Sequence, residues 1–117
     1  MGPDWPFDRF DDIWAGIFIK KIADHFHVAL KSGAPSIRHE KGTDPFVAVK
    51  KEANGLEVNE WLWQVVDDMT ITSTTYKKAY IELATKLVAD KRVQTSQHYD
   101  YFKSLSKAMR IWASYFS

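Results

Sequence analysis

The stretch Asn59–Asp68, NEWLWQVVDD, holds two tryptophans within three residues and carries acidic side chains on both flanks. It decides the fold because an apolar series with helical spacing runs through it, namely Leu62, Val65, Val66 and Met69. Asn59 is a suitable N-cap, and Val58 and Trp63 then occupy the two positions of a hydrophobic staple. Trp61 lies one turn before Val65. We therefore predict that both tryptophans belong to the core and not to a binding surface.

The segment before this stretch predicts a long helix near the N-terminus. Asp11 and Asp12 suit a helix N-terminus, where negative charge is favourable. Apolar residues then recur at intervals of three and four, so the helix is expected to end near Gly33. Glycine is costly inside a helix, and Gly16 therefore predicts that another element crosses closely at that point.

Two aromatic residues precede that helix. Trp5 and Phe7 lie on either side of Pro6. Large aromatic side chains are costly to leave in water. We predict that both fold back onto the core or enter a partner.

Residues 34 to 58 form the longest connection between the main helices. Asp44 followed by Pro45 is typical of a helix start, and Asn54 followed by Gly55 is typical of a stop. The segment 45–58 is therefore predicted to be a fifth, short helix, with a small hairpin as the alternative that the sequence leaves open.

The C-terminal part of the chain predicts two more helices. The hydroxyl-rich run from Thr70 to Thr75 offers N-caps for a helix that starts at Tyr76, and Thr95 with Ser96 is expected to cap the last helix. Together these patterns predict an all-α fold, a compact bundle of four main helices in one domain over residues 1–117.

Composition narrows the class of protein. The chain of 117 residues has 26% charged residues and no cysteine, and its N-terminus lacks the features of a secretory signal. No apolar run is long enough for a membrane span. We expect a cytoplasmic protein without membrane contact. Residues 1–69 carry 8 basic and 12 acidic residues, a net charge of −4, while residues 70–117 carry 8 and 3, a net charge of +5.

Motifs for chemistry are absent from the sequence. His25 and His27 are two residues apart, and on a helix their side chains point in different directions, so we predict no metal site. The sequence holds no phosphate-binding glycine loop and no nucleophile elbow, and we predict no cofactor. Asp67 and Asp68 stand near a helix C-terminus, where acids are unfavourable, and we expect lysines of the basic half to pair with them.

The last helix offers the best candidate surface. Its apolar residues cover too much of the circumference for a helix that lies on one side of a bundle, and basic residues border them. The predicted partner-binding residues are Tyr101, Lys103, Lys107, Arg110, Ile111 and Tyr115.

These observations favour a small, non-enzymatic binding or regulatory protein, of which an inhibitor is one example. It would dock on a macromolecular partner through an aromatic helix surface, and the partner is expected to be another protein or a second copy of the chain. The alternative is nucleic-acid binding through the basic C-terminal half. An enzyme whose site is not visible in the sequence is the third hypothesis.

Overall fold

The computed structural model describes residues 6–7, 10–34, 36, 42 and 44–117. Five helices lie in this part of the chain: α1 (Asp11–His25), α2 (Pro45–Asp68), α3 (Tyr76–Ala89), α4 (Lys91–Gln94) and α5 (Tyr99–Ser114). These residues contain no strand, and the prediction of an all-α bundle with four main helices is confirmed. None of the described helices is long and apolar enough to cross a membrane.

Helix α2 differs from its prediction, because it is one continuous helix of 24 residues. The predicted start is confirmed: the side chain of Asp44 accepts a hydrogen bond from the backbone N–H of Phe46 at 2.9 Å. Both alternatives for 45–58, a separate short helix and a hairpin, are wrong, and so is Asn59 as an N-cap. Gly55 does not end the helix but is buried within it, where a Cβ atom would lie 2.1 Å from Cδ2 of Phe10. The close approach of the residue before α1 therefore explains this glycine.

Helix α1 is shorter than predicted and ends at His25 instead of near Gly33. His27 adopts a left-handed conformation with φ of 55°, and the N–H of Val28 donates to the carbonyl of Ala23 at 2.9 Å. This arrangement closes a helix C-terminus. The prediction for Gly16 is also wrong, since among the described residues no other element comes within 4 Å of a Cβ built there.

The core is centred on aromatic side chains from three parts of the chain. Phe7 contacts Trp14 of α1 and Tyr101 of α5, with ring centroids 4.9 Å and 4.7 Å apart. Trp14 in turn lies 6.0 Å from the ring of Phe102. Phe7 is buried, which confirms that it folds back onto the core, whereas Trp5 lies outside the described residues.

The two tryptophans of α2 have different environments. Trp61 is half-buried and packs against the core, with its ring 5.9 Å from that of Phe102. Trp63 is 48% exposed, so its assignment to the core is wrong. The staple that placed it there requires a helix that starts at Asn59, and α2 starts at Pro45 instead.

The connector between α2 and α3 is fixed by polar contacts. The carboxylate of Glu82 accepts hydrogen bonds from the backbone N–H groups of Thr72 and Ser73 at 3.1 and 2.9 Å, and from both hydroxyl groups. Nε2 of His25 lies 2.7 Å from the carbonyl oxygen of Ser73. Thr75 then caps α3 as predicted, with its hydroxyl accepting from the N–H of Lys78. These bonds join the connector to α1 and α3.

The later helices pair closely. Helix α3 packs mainly against α5, and the buried hydroxyl of Ser106 donates to the carbonyl of Ala84 at 2.7 Å. The predicted cap at Thr95 and Ser96 is wrong for α5, whose N-cap is His98.

Candidate functional site

A groove with a volume of about 520 Å³ lies between α1, α3 and α5. We call it the α1–α3–α5 groove. The side chains that line it are predominantly apolar and aromatic. Among them are Trp14, Phe18, Tyr76, Tyr80, Tyr101, Leu105, Met109, Trp112 and Phe116.

One wall of the groove is an exposed aromatic row. The ring of Trp112 lies 5.6 Å from that of Tyr80 and 4.5 Å from that of Phe116. Trp112 and Phe116 are four residues apart on α5 and thus share a face of the helix. Trp112 remains 58% exposed. Much of its indole ring is therefore accessible to solvent.

Polar groups at the groove are few. Burial and the charge of Asp11 raise the pKa of Tyr101 well above its usual value, and burial also raises the pKa of Tyr80. Both hydroxyl groups thus carry their proton at neutral pH. Asp11 and Lys77 also line the groove, and the ammonium group of Lys77 donates to the carbonyl of Phe116. Apolar walls with a few polar groups are typical of small-molecule sites.

The six residues predicted from the sequence do not form one surface. Tyr101 is buried, because Phe7 and Trp14 cover the N-terminal end of α5. Ile111 is 50% exposed and Tyr115 is 81% exposed at the other end of the helix. The three predicted basic residues are exposed as well: Lys103, Lys107 and Arg110. Only Tyr101 lines the groove, and the other five lie outside it.

The acidic pair at the end of α2 has a different partner from the one predicted. The guanidinium of Arg92 contacts the carboxylate of Asp68 at 2.8 Å and that of Asp90 at 2.9 Å. An arginine of the basic half therefore pairs with Asp68 in place of the expected lysine. The Arg92 contact also lowers the pKa of Asp90. This is a structural ion pair between the end of α2 and the start of α4.

Sequence reasoning missed the exposed aromatic row. Trp112 and Phe116 recur with helical spacing in the last helix, and Tyr80 does so in α3, and this pattern alone does not distinguish an exposed position from a core position. The unusually wide apolar face of α5 indicated that some of its apolar side chains would not be covered by the bundle. It could not indicate which of these side chains would remain uncovered.

The described helices thus enclose an apolar groove with few polar groups, and comparison with known families identifies the family of the chain. The family model for the reversibly glycosylated polypeptide matches residues 2–117, and the chain belongs to that family. Two relatives from Arabidopsis thaliana are UDP-arabinopyranose mutase 2, with 38% identity, and UDP-arabinopyranose mutase 1, with 39% identity. A third, UDP-arabinopyranose mutase 1 from Oryza sativa subsp. japonica, is 36% identical. No solved structure matches the chain.

The matches cover almost all of this chain but a minor part of each relative. Each extends over 114 residues, which is 96% of the chain and 30–31% of the relative. The chain thus spans about a third of the length of these curated relatives. Because they are enzymes, the prediction of a non-enzymatic binding protein, with its readings as a regulator or inhibitor, is wrong.

Proposed function

We propose that this chain is the helical part of an enzyme that acts on UDP-arabinopyranose. The observation that carries the proposal is the identity of 36–39% with UDP-arabinopyranose mutases over 96% of the chain. The relatives are about three times as long, so the complete reaction also draws on regions that correspond to their remaining length.

The α1–α3–α5 groove is the place that we propose for the uridine part of the nucleotide sugar. Aromatic side chains bind nucleobases by stacking, which contributes about 1–3 kcal/mol per base. The exposed ring of Trp112 beside Tyr80 provides such a surface. The protonated hydroxyl group of Tyr80 is a hydrogen-bond donor for a carbonyl oxygen of a pyrimidine. The net charge of +5 in residues 70–117 favours an anionic diphosphate nearby.

A chimeric enzyme tests the proposed activity. The 114 matched residues of UDP-arabinopyranose mutase 1 from Arabidopsis thaliana are replaced by this chain. Conversion of UDP-arabinopyranose is then followed by separation of the UDP-sugars. Activity above that of the same mutase with the segment deleted is the expected result. A folded chimera without activity would contradict the proposal.

A binding experiment tests the groove itself. UDP is titrated into the chain by isothermal calorimetry, with arabinose alone as the comparison. Trp112→Ala should weaken UDP binding about 10-fold, which corresponds to about 1.4 kcal/mol. Trp63→Ala is the matched control, since Trp63 is exposed to a similar extent but lies outside the groove. Equal UDP affinity in both variants would contradict the proposal that the groove binds the nucleotide.

A cytoplasmic location is also part of the proposal. The chain contains no cysteine, which suits a reducing compartment. Fractionation of cells that express the tagged chain tests this directly.

A further inference from the structure

Lys77 is the one basic residue among the described residues that line the α1–α3–α5 groove. It lies in the first turn of α3, and its ammonium group donates a hydrogen bond to the carbonyl oxygen of Phe116, which follows the end of α5. This contact joins two walls of the groove. The acceptor is a neutral carbonyl group, whereas an ammonium group binds the charged oxygens of a phosphate more strongly.

The segment that Lys77 contacts is held less firmly than the helix before it. Residues 115–117 follow α5 and are exposed. The backbone N–H groups of Tyr115 and Phe116 donate to carbonyl groups three residues earlier, at 3.2 and 3.3 Å. Segments with exposed backbone hydrogen bonds open at a low cost in free energy. Trp112 lies within α5, next to the buried Ala113. Phe116 can therefore move while Trp112 keeps its place.

The ring of Phe116 lies beside the aromatic surface that we propose for the nucleobase. Its centroid is 4.5 Å from that of Trp112, and the two ring planes are inclined by 54°. A ring at this distance covers part of the indole that a stacked base would contact. Displacement of Phe116 would uncover that part. The same movement would release Lys77, because the ammonium group binds the backbone of the same residue.

We propose that Lys77 exchanges partners when the groove is filled, leaving the carbonyl group of Phe116 and binding a phosphate oxygen of UDP. This inference rests on the function proposed above for the groove. Asp11, an acidic residue that lines the groove, acts on Tyr101 near the start of α5. The end of α5 is about 20 Å further along the helix. The diphosphate is therefore assigned to the end of the groove that lies away from this acid.

Titration calorimetry with two ligands tests the role of Lys77. UDP and uridine share the base and the ribose, but only UDP carries phosphate groups. Lys77→Met keeps a long apolar side chain and removes the charge. It should weaken UDP binding at least about 10-fold, while uridine affinity stays equal or increases. Lys77→Arg should retain most of the UDP affinity. Lys78→Met is the matched control, since Lys78 is exposed and lies outside the groove.

Two further measurements test the movement of Phe116. Phe116→Ala removes the ring but keeps the carbonyl group that Lys77 contacts, so it should increase the affinity for UDP and for uridine at least about 2-fold. In the wild-type chain, saturation with UDP should accelerate hydrogen exchange at the backbone N–H of Phe116, measured by nuclear magnetic resonance. Circular dichroism of each variant verifies that the fold persists.

The opposite results overturn the exchange of partners. Equal losses of UDP and uridine affinity in Lys77→Met would mean that this side chain only maintains the shape of the groove. Weaker binding by Phe116→Ala, or slower exchange at Phe116 with UDP, would make Phe116 a part of the binding surface.

The Trp112→Ala variant separates this inference from the proposed function. A loss of UDP affinity in Trp112→Ala without a loss in Lys77→Met would reject the exchange of partners and leave the groove as the nucleotide site. A wild-type chain that binds neither ligand, or binding that Trp112→Ala leaves unchanged, would overturn both.

Discussion

The two faces of α2 have similar apolar side chains but opposite environments. Leu62 on the inner face is fully buried, whereas Leu56 on the outer face is 54% exposed. The tryptophans divide in the same way, with Trp61 packed against the core and Trp63 in solvent. An apolar sequence pattern thus predicts which helix faces favour burial. Which of these faces is buried within the chain depends on the elements that pack next to the helix.

The inner face is covered because three other parts of the chain meet there. The ring of Phe10 lies over Gly55, and the ring of Phe102 packs on Trp61. Leu62 belongs to the same continuous core as Leu83 of α3. Nothing comparable among the described residues covers the outer face.

The largest effect is expected for the two leucines of α2. Leu62→Ala should lower the free energy of unfolding by about 4 kcal/mol, because it leaves a cavity in a site without solvent access. Leu56→Ala should change it by less than about 0.5 kcal/mol. Urea denaturation of both variants measures the difference. Equal losses would mean that the outer face is also covered in the folded chain.

The tryptophans give the next largest contrast. Trp61→Ala should destabilise the fold by about 3 kcal/mol, since it removes a large ring from contact with Phe102. Trp63→Ala is expected to stay within about 0.5 kcal/mol of the wild-type value. Thermal melting followed by circular dichroism measures the difference. A stable Trp61→Ala variant would place Trp61 outside the core.

Much of the helical content could be predicted from sequence because it depends on local rules. The caps at Asp44 and Thr75 use side-chain chemistry that acts over two or three residues. The stop at Gly55 failed because contact with Phe10, 45 positions away, overrides the local preference. Once that stop was assumed, Asn59 became a false N-cap and Trp63 a false core residue.

The candidate site was harder to predict for a related reason. The exposed position of Trp112 depends on how α1, α3 and α5 cross, and a helix pattern does not contain that information. Tyr101 was assigned to the same face as Ile111, but Phe7 from the N-terminal segment covers it. The proposed function could not follow from motifs, because the sequence carries none, and it rests on comparison with the mutases.

Gly55 provides a third, smaller test of the inner face. Alanine favours a helix by about 1 kcal/mol over glycine, but a Cβ at this position would lie 2.1 Å from Cδ2 and 2.5 Å from Cε2 of Phe10. Gly55→Ala should therefore destabilise the fold by about 2 kcal/mol. Gly16→Ala is the matched control, since nothing lies within 4 Å there, and it should stabilise α1 by about 1 kcal/mol. Stabilisation by both substitutions would show that Phe10 moves aside freely.

The smallest change in stability is expected for a substitution of Glu82, whose carboxylate binds the connector between α2 and α3. Its carboxylate contacts Lys86 at 2.8 Å and accepts the hydrogen bonds of Thr72 and Ser73. The contact with Lys86, together with the hydrogen bonds from Ser73 and Thr72, lowers the pKa of Glu82 far below its usual value. Glu82→Gln retains the shape but loses the charge, and should cost about 1.5 kcal/mol at pH 7. Glu57→Gln, at an exposed position of α2, should have almost no effect.

The pH dependence of this difference separates charge from shape. A carboxylate whose pKa is lowered on folding stabilises the folded state. For a glutamate this stabilisation is fully present above the pKa that the side chain has in the unfolded chain, about 4.3. It is lost as the pH falls toward the lower pKa of the folded state. The gap between wild type and Glu82→Gln should therefore narrow steadily as the pH is lowered from about 5 to about 3. Other carboxylates that titrate in this range, such as Asp90, are present in both proteins and cancel in the comparison. If the difference in unfolding free energy stays constant over this range, the charge of Glu82 does not contribute, and its hydrogen-bond geometry alone stabilises the connector.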